Sequence, residues 1–370
     1  MHLKQLTLLN FKSYDQAEIE LHPKINCFFG DNGEGKTNLL DSIFYLSMCK
    51  SNFNSIDYQN IKHNKEFFVI QGSYNRNEKL ENIYCAVKKG TGKTFRRNGK
   101  DYRRLAEHIG HLPVVIIAPT DSSLILDGSE ERRKYINGVI SQYNNPYLES
   151  IIRYNKLIAN RNRLLKSLSK GENYNPDLFE VIDDQLGDLA GPIFTQRLEF
   201  AKKLSPIFQH YYNTISKGAE EVELIYQSDL QENDLKLLLK ESMPKDRMLQ
   251  YTSKGIHRDD LILTLNGHPI KKEGSQGQQK TYLVALKLAQ FSFIQKLSGL
   301  KPILLLDDIF DKLDMNRVEQ FIRLVANDEF GQIFITDTNK ARLDVILEKI
   351  NTNYKLFTIK QGQIEETAQK

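Results

Sequence analysis

The sequence predicts an α/β fold that is interrupted by a long helical insertion. First, the apolar run Ile25–Phe29 leads through a glycine-rich segment into a helix-forming run, Asn38–Leu46. Second, residues 130–216 carry helical spacing of apolar side chains, with a break at 171–176. Third, strand patterns return after Glu221 and then alternate with helical ones to the end of the sequence. These observations indicate one α/β core whose two halves flank an insertion.

The glycine-rich segment fits the phosphate-binding pattern G-x-x-x-x-G-K-[ST] at every fixed position. A strand before it and a helix after it would aim its backbone N–H groups at a phosphate, where the helix dipole also favours negative charge. We expect Lys36 to reach the β- and γ-phosphates and the Thr37 hydroxyl to bind Mg²⁺. A tight turn without a ligand is the alternative. The predicted nucleotide-binding residues are Gly30, Asp31, Asn32, Gly33, Glu34, Gly35, Lys36, Thr37 and Asn38.

A second Gly-Lys-Thr sequence ends at Thr94, but it does not complete the same pattern. Val87 stands where the pattern requires glycine. Strand-like runs flank the segment, so it is interpreted as a hairpin turn.

Composition limits the classes of protein that this chain can represent. Its 370 residues allow one or two domains, and its three cysteines lie in apolar runs, which is typical of a reduced, cytoplasmic protein. Residues 1–6 alternate like a strand rather than a signal peptide, and no apolar run reaches the length of a membrane span. We therefore expect a cytoplasmic location and no membrane partner.

The basic residues are concentrated in the segment Lys88–Arg104, although the formal net charge is only +4. Such a segment is either a solvated face or a surface for phosphate-backbone contacts. We hypothesise contacts with duplex or junction DNA, joined by Lys12 and by Arg161 and Arg163 of the insertion. The predicted DNA-binding residues are Arg96, Arg97, Arg103 and Arg104.

The predicted domain boundaries follow the change in pattern near Gly128. Short strands dominate before that residue, and two antiparallel helices after it would form a projecting arm. The prediction is a head made of residues 1–128 and 220–370, and a helical arm made of residues 129–219.

The apolar run 302–306 ends in two carboxylates, Asp307 and Asp308, which is the Walker B form. A carboxylate at the end of such a strand can hold the Mg²⁺ that Thr37 also binds. We assign that role to Asp307 and expect Asp308 to polarise the attacking water. The predicted catalytic residues are thus Lys36, Asp307 and Asp308. The alternative is a strand followed by an Asp-rich turn.

A further helix N-terminus resembles a phosphate site but lies far along the sequence from the first. A serine and a glycine precede the helix Thr281–Gln290. Its position makes sense if it completes the nucleotide pocket of a second subunit, whereas by itself it would be an ordinary capped helix. We call these the signature residues and predict that they act in trans, on the nucleotide of the second subunit. They are Ser275, Gln276, Gly277 and Gln278.

The order and spacing of these motifs resemble the ATP-binding-cassette (ABC) head of the SMC-like ATPases, and more closely the RecF family of bacterial recombination mediators. The resemblance covers nearly the whole length. The segments that carry it are Asn10–Tyr14, Gly35–Leu40, Pro119–Asp121, Gly128–Lys134, Arg161–Lys166, Gly255–Asp260, Ser275–Gln279 and Asp311–Asp314.

The resemblance implies an ABC-type P-loop ATPase head with an inserted α-helical arm, and a homodimer that forms when ATP binds. It implies DNA binding at gaps or junctions, and cooperation with RecO- and RecR-type mediators in loading a recombinase. Roles in DNA repair, replication, recombination and the SOS response follow from it. By the same analogy, Ser275 and Gly277 contact the γ-phosphate held by the partner, and Asp314 belongs to the interface.

The chain departs from the pattern at three positions. Asp41 stands where the family more often has glutamate. Asp308 replaces the usual catalytic glutamate, so slow, DNA-dependent hydrolysis is expected. No histidine follows the strand that ends near Thr336. Either Asp337 or Thr338 would then sense the γ-phosphate, or no residue does.

Other interpretations fit the sequence less well than a DNA-binding ATPase does. A transporter ATPase would not need so long a helical insertion and would carry a switch histidine. A nuclease-linked ATPase would need a downstream cluster of catalytic carboxylates, and the sequence ends soon after Thr336. His257, Asp259 and Asp260 could form a metal cluster, but a hydrogen-bonded strand entry is the commoner arrangement.

Overall fold

The computed structural model describes residues 1–168, 175–218, 220–310, 317–318, 320–321, 324, 329–349 and 353–369. The chain forms two compact units. The first comprises residues 1–121, 211–217 and 280–370, and the second comprises residues 122–210 and 218–279.

The elements are numbered here in chain order. The strands are β1 (His2–Phe11), β2 (Tyr14–Glu20), β3 (Ile25–Phe29), β4 (Phe67–Arg76), β5 (Lys79–Lys88), β6 (Gly92–Arg97), β7 (Lys100–Asp101), β8 (Val114–Ile117), β9 (Val222–Gln227), β10 (Asp260–Leu265), β11 (His268–Pro269), β12 (Ile303–Asp307), β13 (Ile333–Asp337), β14 (Tyr354–Lys360) and β15 (Gln363–Gln369). The described helices are α1 (Lys36–Met48), α2 (Ser123–Leu126), α3 (Ser129–Ile140), α4 (Asn145–Leu168), α5 (Pro176–Ser216), α6 (Leu235–Leu249), α7 (Ile270–Glu273), α8 (Gln276–Ser298) and α9 (Lys340–Lys349).

The central sheet of the first unit has the strand order β15-β14-β3-β13-β12-β8. Its strands are parallel except β15, which pairs with β14 in the antiparallel sense. β12 and β13 are buried throughout, as strands covered on both faces must be. Because the carboxyl ends of parallel strands meet at one edge, the ends of β3, β12 and β13 lie together there. In that register Asp307 pairs with Thr336.

A second sheet of the first unit is antiparallel, with the order β2-β1-β4-β5-β6-β7. Its strands alternate buried and accessible residues, which leaves one face for the core. Every residue of α1 except Thr37 and Asn38 is buried, because the apolar side chains of this helix contact residues of both sheets in one core cluster. The helix that begins at the P-loop is therefore the centre of the first unit.

The second unit combines the helices of the predicted arm with the three-stranded sheet β11-β10-β9. Residues 220–279, which the sequence analysis assigned to the head, pack with these helices. One reason is an ion pair with two contacts: Arg132 Nε and Nη2 lie 2.6 and 2.9 Å from the Asp260 carboxylate. The assignment of head and arm by function stays a prediction.

Arg161 illustrates the interior of the second unit. Its side chain is fully buried and donates to Asp183 at 2.7 Å, Asp246 at 2.7 Å and Thr252 at 3.1 Å. A buried guanidinium needs such partners because an unpaired charge is costly in the interior. The expectation that Arg161 contacts DNA was wrong, since its guanidinium does not reach the surface.

We predict that His108 makes the first unit sensitive to mild acid. The ring is buried, with Nε2 lying 2.7 Å from Leu46 O and Nδ1 lying 2.9 Å from the Tyr102 hydroxyl. Burial lowers the pKa of His108 from 6.5 to about 4. Between these values the unfolded chain binds a proton that the folded chain does not, so stability falls as the pH falls below about 6.5.

The test compares the wild type with His108→Gln, whose side chain keeps a donor but does not titrate. Between pH 7 and pH 5 the wild type should lose about 2 kcal/mol more unfolding free energy than the variant does. Urea unfolding at the two pH values measures the difference. Parallel losses in the two proteins would show that His108 contributes nothing to the acid sensitivity.

Candidate active site

The glycine-rich segment of residues 30–37, called the P-loop, lies between β3 and α1, at the carboxyl edge of the central sheet. Lys36 Nζ donates to Gly30 O at 2.7 Å and to Asp31 O at 2.9 Å, so the side chain folds back along its own loop. Burial lowers the pKa of Lys36, while the carboxylates of Asp308, Asp307, Asp337 and Asp31, in that order, act to raise it. The ammonium is thus the positive centre of an edge rich in carboxylates.

The turn between β1 and β2 braces the P-loop from one side. Gly35 has a φ of 114°, and a Cβ there would lie 2.7 Å from Ser13 Oγ, so only glycine fits without strain. The Tyr14 hydroxyl donates to Gly35 O at 2.9 Å, and Asn38 Nδ2 donates to Ser13 Oγ at 3.0 Å. The segment containing Ser13 and Tyr14 contributes to the family resemblance, but no local pattern in it predicts these contacts with the P-loop.

The turn between β14 and β15 braces the loop from another side. The Gln361 N–H donates to the Glu34 carboxylate, and the Gly362 N–H donates to Glu34 O at 3.3 Å. A Cβ on Gly30 would lie 2.4 Å from Ile359 O, so the hairpin backbone packs directly against the loop. Sequence reasoning missed this support, because the contacting residues lie more than 300 positions apart and carry no motif.

The Walker B carboxylate meets the P-loop threonine. Thr37 Oγ1 lies 2.9 and 2.8 Å from the two carboxylate oxygens of Asp307. On the other side, Thr336 Oγ1 lies 2.9 Å from Asp307 Oδ1 and accepts a hydrogen bond from Asp308 N at 3.0 Å. Burial raises the pKa of Asp307, and the hydrogen bonds from Thr37 and Thr336 oppose that rise.

Thr37 and Asp307, which the sequence analysis assigned to one Mg²⁺, are therefore adjacent. A hydroxyl and a carboxylate are the hard oxygen ligands that magnesium prefers, so this pair fits such an ion. Thr336 was missed by the sequence analysis. The available signal was a hydroxyl at the end of the neighbouring parallel strand, in register with Asp307.

Asp308 directly follows β12 with a φ of 47°, in the left-handed region that few residues other than glycine adopt. Its backbone N–H is fixed by Thr336. Asp337, one of the two residues considered as phosphate sensors, is fully buried and accepts hydrogen bonds from Arg342 Nε at 2.8 Å and Nη2 at 2.7 Å. Both of its carboxylate oxygens are thus engaged within the chain.

The predicted signature residues begin α8 in the second unit. Ser275 Oγ accepts from Gln278 N at 3.3 Å, and Gln278 Oε1 accepts from Ser275 N at 2.8 Å. This reciprocal pair is a capping box, which satisfies backbone donors at the start of the helix. Ser275 and Gln276 are exposed, and Gly277 and Gln278 are half-buried. The start of α8 is therefore capped in this chain, and the trans role stays a prediction. Asp314 lies outside the described residues.

The predicted DNA-binding arginines are exposed in the first unit, but most have acidic neighbours. Arg96 donates to Asp101 at 2.9 Å, and Arg97 lies 3.6 Å from Glu81. Arg104 lies 3.7 Å from Glu107.

Two other basic residues have structural roles. The second Gly-Lys-Thr sequence lies in the β5–β6 hairpin, as predicted, and Lys93 donates to Cys49 O at 2.6 Å, at the carboxyl end of α1. Lys12 is paired with the buried Asp41 at 2.5 Å. Neither ammonium is available as a simple surface charge, so Lys12 is withdrawn from the expected DNA contacts.

The polar segment before β10 is hydrogen-bonded inside the second unit. His257 Nε2 lies 3.0 Å from Thr252 O, and Arg197 Nη1 donates to Asp259 at 2.9 Å. Asp260 is bound by Arg132, as described above. These contacts agree with the interpretation of this segment as a hydrogen-bonded entry to β10.

Comparison with known proteins identifies close relatives along the whole chain. The family model described as "RecF/RecN/SMC N terminal domain" matches residues 2–365. The DNA replication and repair protein RecF of Phocaeicola vulgatus is 50% identical over 368 residues, covering 99% of this chain and 98% of that protein. The RecF protein of Bacteroides thetaiotaomicron is 51% identical over 367 residues, covering 99% of each.

Solved structures agree with the sequence relatives. The recombination mediator protein RecF of the RecFOR pathway, in structures named for ATPrS and for ATP, matches with TM-scores of 0.88 and 0.89. Each is 30% identical and covers 99% of this chain and 98% of the matched chain. An Smc head bound to the winged-helix domain of ScpA has a TM-score of 0.59 at 17% identity, which supports the fold alone. No described helix combines the length and apolarity needed to cross a bilayer.

We predict that Thr336→Val, which keeps the side-chain volume, will lower the free energy of unfolding by removing hydrogen bonds at the end of the Walker B strand. It removes the acceptor of the Asp308 N–H and one of the two hydroxyls that bind Asp307 Oδ1, which should cost about 1–3 kcal/mol of stability. Thr358→Val on β14 is the matched control for a strand threonine. Chemical unfolding of both variants tests the prediction, and equal losses would show that the hydroxyl of Thr336 has no special role.

Proposed function

The chain belongs to the RecF family of DNA replication and repair proteins, and from that premise we propose that it is an ATP-driven switch for holding DNA. ATP closes a homodimer on DNA at gaps or junctions, and hydrolysis releases it. The observation that carries the proposal is the contact between Thr37 of the P-loop and Asp307 of Walker B. Two separate nucleotide motifs meet there at one sheet edge.

The proposed chemistry assigns a role to each residue of that edge. The backbone N–H groups of residues 33–37 and the Lys36 ammonium bind the phosphates. Thr37 and Asp307 hold Mg²⁺, which when bound neutralises charge on the β- and γ-phosphates. Asp308 orients the attacking water and accepts its proton. Its side chain is one methylene shorter than that of glutamate and would place the water less well. We therefore propose that hydrolysis is slow, so that the ATP-bound dimer persists on DNA.

Dimer closure is proposed to use the capped start of α8. Ser275 and Gln276 are exposed there, and a helix N-terminus favours an anion. In the proposed dimer, this end meets the γ-phosphate bound to the partner's P-loop, and Asp314 joins the interface. The structures of RecF named for ATP and ATPrS support nucleotide binding in the family.

DNA is proposed to contact the exposed arginines of the segment Lys88–Arg104 through its phosphates. RecO- and RecR-type mediators are the proposed protein partners, because the structural relatives are named as RecF of the RecFOR pathway.

A cytoplasmic location is proposed for this protein, because the proposed function acts on chromosomal DNA. A transporter ATPase and a nuclease-linked ATPase are not favoured, since the relatives named as replication and repair proteins match along the full chain.

Lys36→Ala tests the nucleotide site directly. The variant should bind ATP about 10- to 100-fold more weakly, because a hydrogen bond to a charged group contributes about 1.5–3 kcal/mol. Isothermal titration with ATP and Mg²⁺ measures the affinity, and Lys4→Ala removes an exposed charge as the control. Unchanged affinity in a folded Lys36→Ala protein would refute the P-loop assignment.

Ser275→Arg separates nucleotide binding from dimer closure. The variant should bind ATP as the wild type does but fail to dimerise, since a bulky cation would occupy the proposed trans contact. Light scattering with and without ATP gives the mass. Ser275→Ala controls for the lost helix cap, and an ATP-dependent Ser275→Arg dimer as tight as that of the wild type would contradict the signature assignment.

The DNA surface is tested by the salt dependence of binding in the presence of ATP. Each lost phosphate contact should lower the slope of log K against log salt by about 0.9 on duplex DNA. Replacing Arg96, Arg97, Arg103 and Arg104 with Ala should therefore flatten the slope and weaken binding similarly across sequences. A variant that removes the same number of charges controls for the loss of net charge, with Ala at four exposed lysines outside that segment: Lys202, Lys203, Lys240 and Lys245. An unchanged slope with intact dimerisation would move the DNA surface elsewhere.

A further inference from the structure

A buried ion pair occupies the end of β13, the strand that pairs with the Walker B strand β12. Asp337 is fully buried, and its carboxylate accepts from Arg342 Nε at 2.8 Å and Nη2 at 2.7 Å. The Asn339 N–H adds a third hydrogen bond at 2.8 Å. Such a bidentate pair fixes the orientation of the guanidinium as well as its position.

The guanidinium also contacts the segment that follows β12. Arg342 Nη1 donates to Phe310 O at 3.2 Å, so one side chain joins the end of β13 to a residue two positions beyond Asp308. Lysine could pair with Asp337, but its single ammonium cannot reproduce the planar set of donors that reaches both partners.

The segment between Asp308 and Phe310 is consequently held at both ends from the β13 side. At its start, the Asp308 N–H donates to Thr336 Oγ1 at 3.0 Å. At its end, Arg342 holds Phe310 O. Asp308 itself has a φ of 47°, a conformation that persists where surrounding contacts specify it. Ile309 and Phe310 are buried, which adds packing to the two polar anchors.

We propose that Arg342 is a positioning residue for hydrolysis, acting through the backbone of residues 308–310 to aim the Asp308 carboxylate. The inference rests on the proposed function, in which Asp308 activates water. Misplacing a catalytic group by about 1 Å can lower a rate by up to about 100-fold. Nucleotide binding depends instead on the P-loop backbone and Lys36, so affinity and hydrolysis should respond differently to changes at Arg342.

The competing explanation is that Arg342 only neutralises the buried charge of Asp337. Under that explanation, Arg342→Lys should lower the melting temperature and leave the rate of hydrolysis per bound ATP unchanged. Under our proposal the same variant retains the charge but loses the contact with Phe310 O. The rate of the chemical step should then fall whatever happens to stability.

The experiment measures ATP affinity by calorimetry and the single-turnover rate of hydrolysis on the full chain with Mg²⁺. Arg342→Lys should hydrolyse bound ATP about tenfold more slowly, with a Kd within about twofold of the wild type. Lys340→Gln, an exposed cation in the first turn of the same helix, should change neither quantity. A wild-type rate, or a loss of affinity as large as the loss of rate, would overturn the proposal.

Two further variants keep the test decisive. Asp337→Asn should slow hydrolysis in the same way, because it releases the anchor of Arg342; it serves if Arg342→Lys does not fold. In an Asp308→Asn background, Arg342→Lys should leave the residual rate unchanged, since both changes act on one step. A further drop of similar size there would overturn the proposal.

The same set of proteins separates this inference from the function on which it rests. A wild type that neither binds nor hydrolyses ATP would refute the proposed function and this inference with it. A wild type whose hydrolysis is abolished by Asp308→Asn but unaffected at Arg342 and Asp337 would refute this inference alone.

Discussion

The contact between the Thr37 hydroxyl and the Asp307 carboxylate is the interaction on which the rest of the candidate site depends. The two residues are 270 positions apart in the sequence, yet Oγ1 lies within 2.9 Å of both carboxylate oxygens. Parallel strands make this possible, because β3 and β12 deliver their carboxyl ends to one edge with β13 between them. Thr336 on that middle strand completes the arrangement by binding the same carboxylate.

The central helix gives the P-loop a rigid support. α1 begins at Lys36 and ends near Cys49, and its carboxyl end is bound by cationic or imidazole groups from the antiparallel sheet and the following loop. Lys93 donates to Cys49 O, and the neutral His108 ring contacts Leu46 O. Cations at a helix carboxyl end are favoured by the dipole, and they satisfy carbonyls that have no partner within the helix. Lys93 of the second Gly-Lys-Thr sequence thus supports the helix that follows the first one.

Local patterns were sufficient to predict the fold class, the P-loop, the β5–β6 hairpin and the Walker B strand. The P-loop, the hairpin and the Walker B strand are each encoded within about ten adjacent residues by glycine, by apolar runs or by a terminal carboxylate, and the fold class follows from the order of such segments along the chain. The supports of the site were not predictable in this way. Glu34 meets Gln361, and Arg342 meets Phe310, through long-range packing that leaves no periodic signal. The burial of a charged side chain is equally hard to predict from sequence. Arg161 was expected to contact DNA because the sequence shows its charge but not the residues that bind it.

Charge around Lys36 explains why a nucleotide site of this kind needs more than a P-loop. Four carboxylates influence this one ammonium, namely those of Asp308, Asp307, Asp337 and Asp31. A triphosphate added to that edge would meet mostly negative charge, and at partial burial such repulsion is weakly screened. Arg342 neutralises Asp337, and the proposed Mg²⁺ would neutralise Asp307 together with the phosphates. In the proposed function, Asp308 is the carboxylate of this edge that accepts the proton of the attacking water.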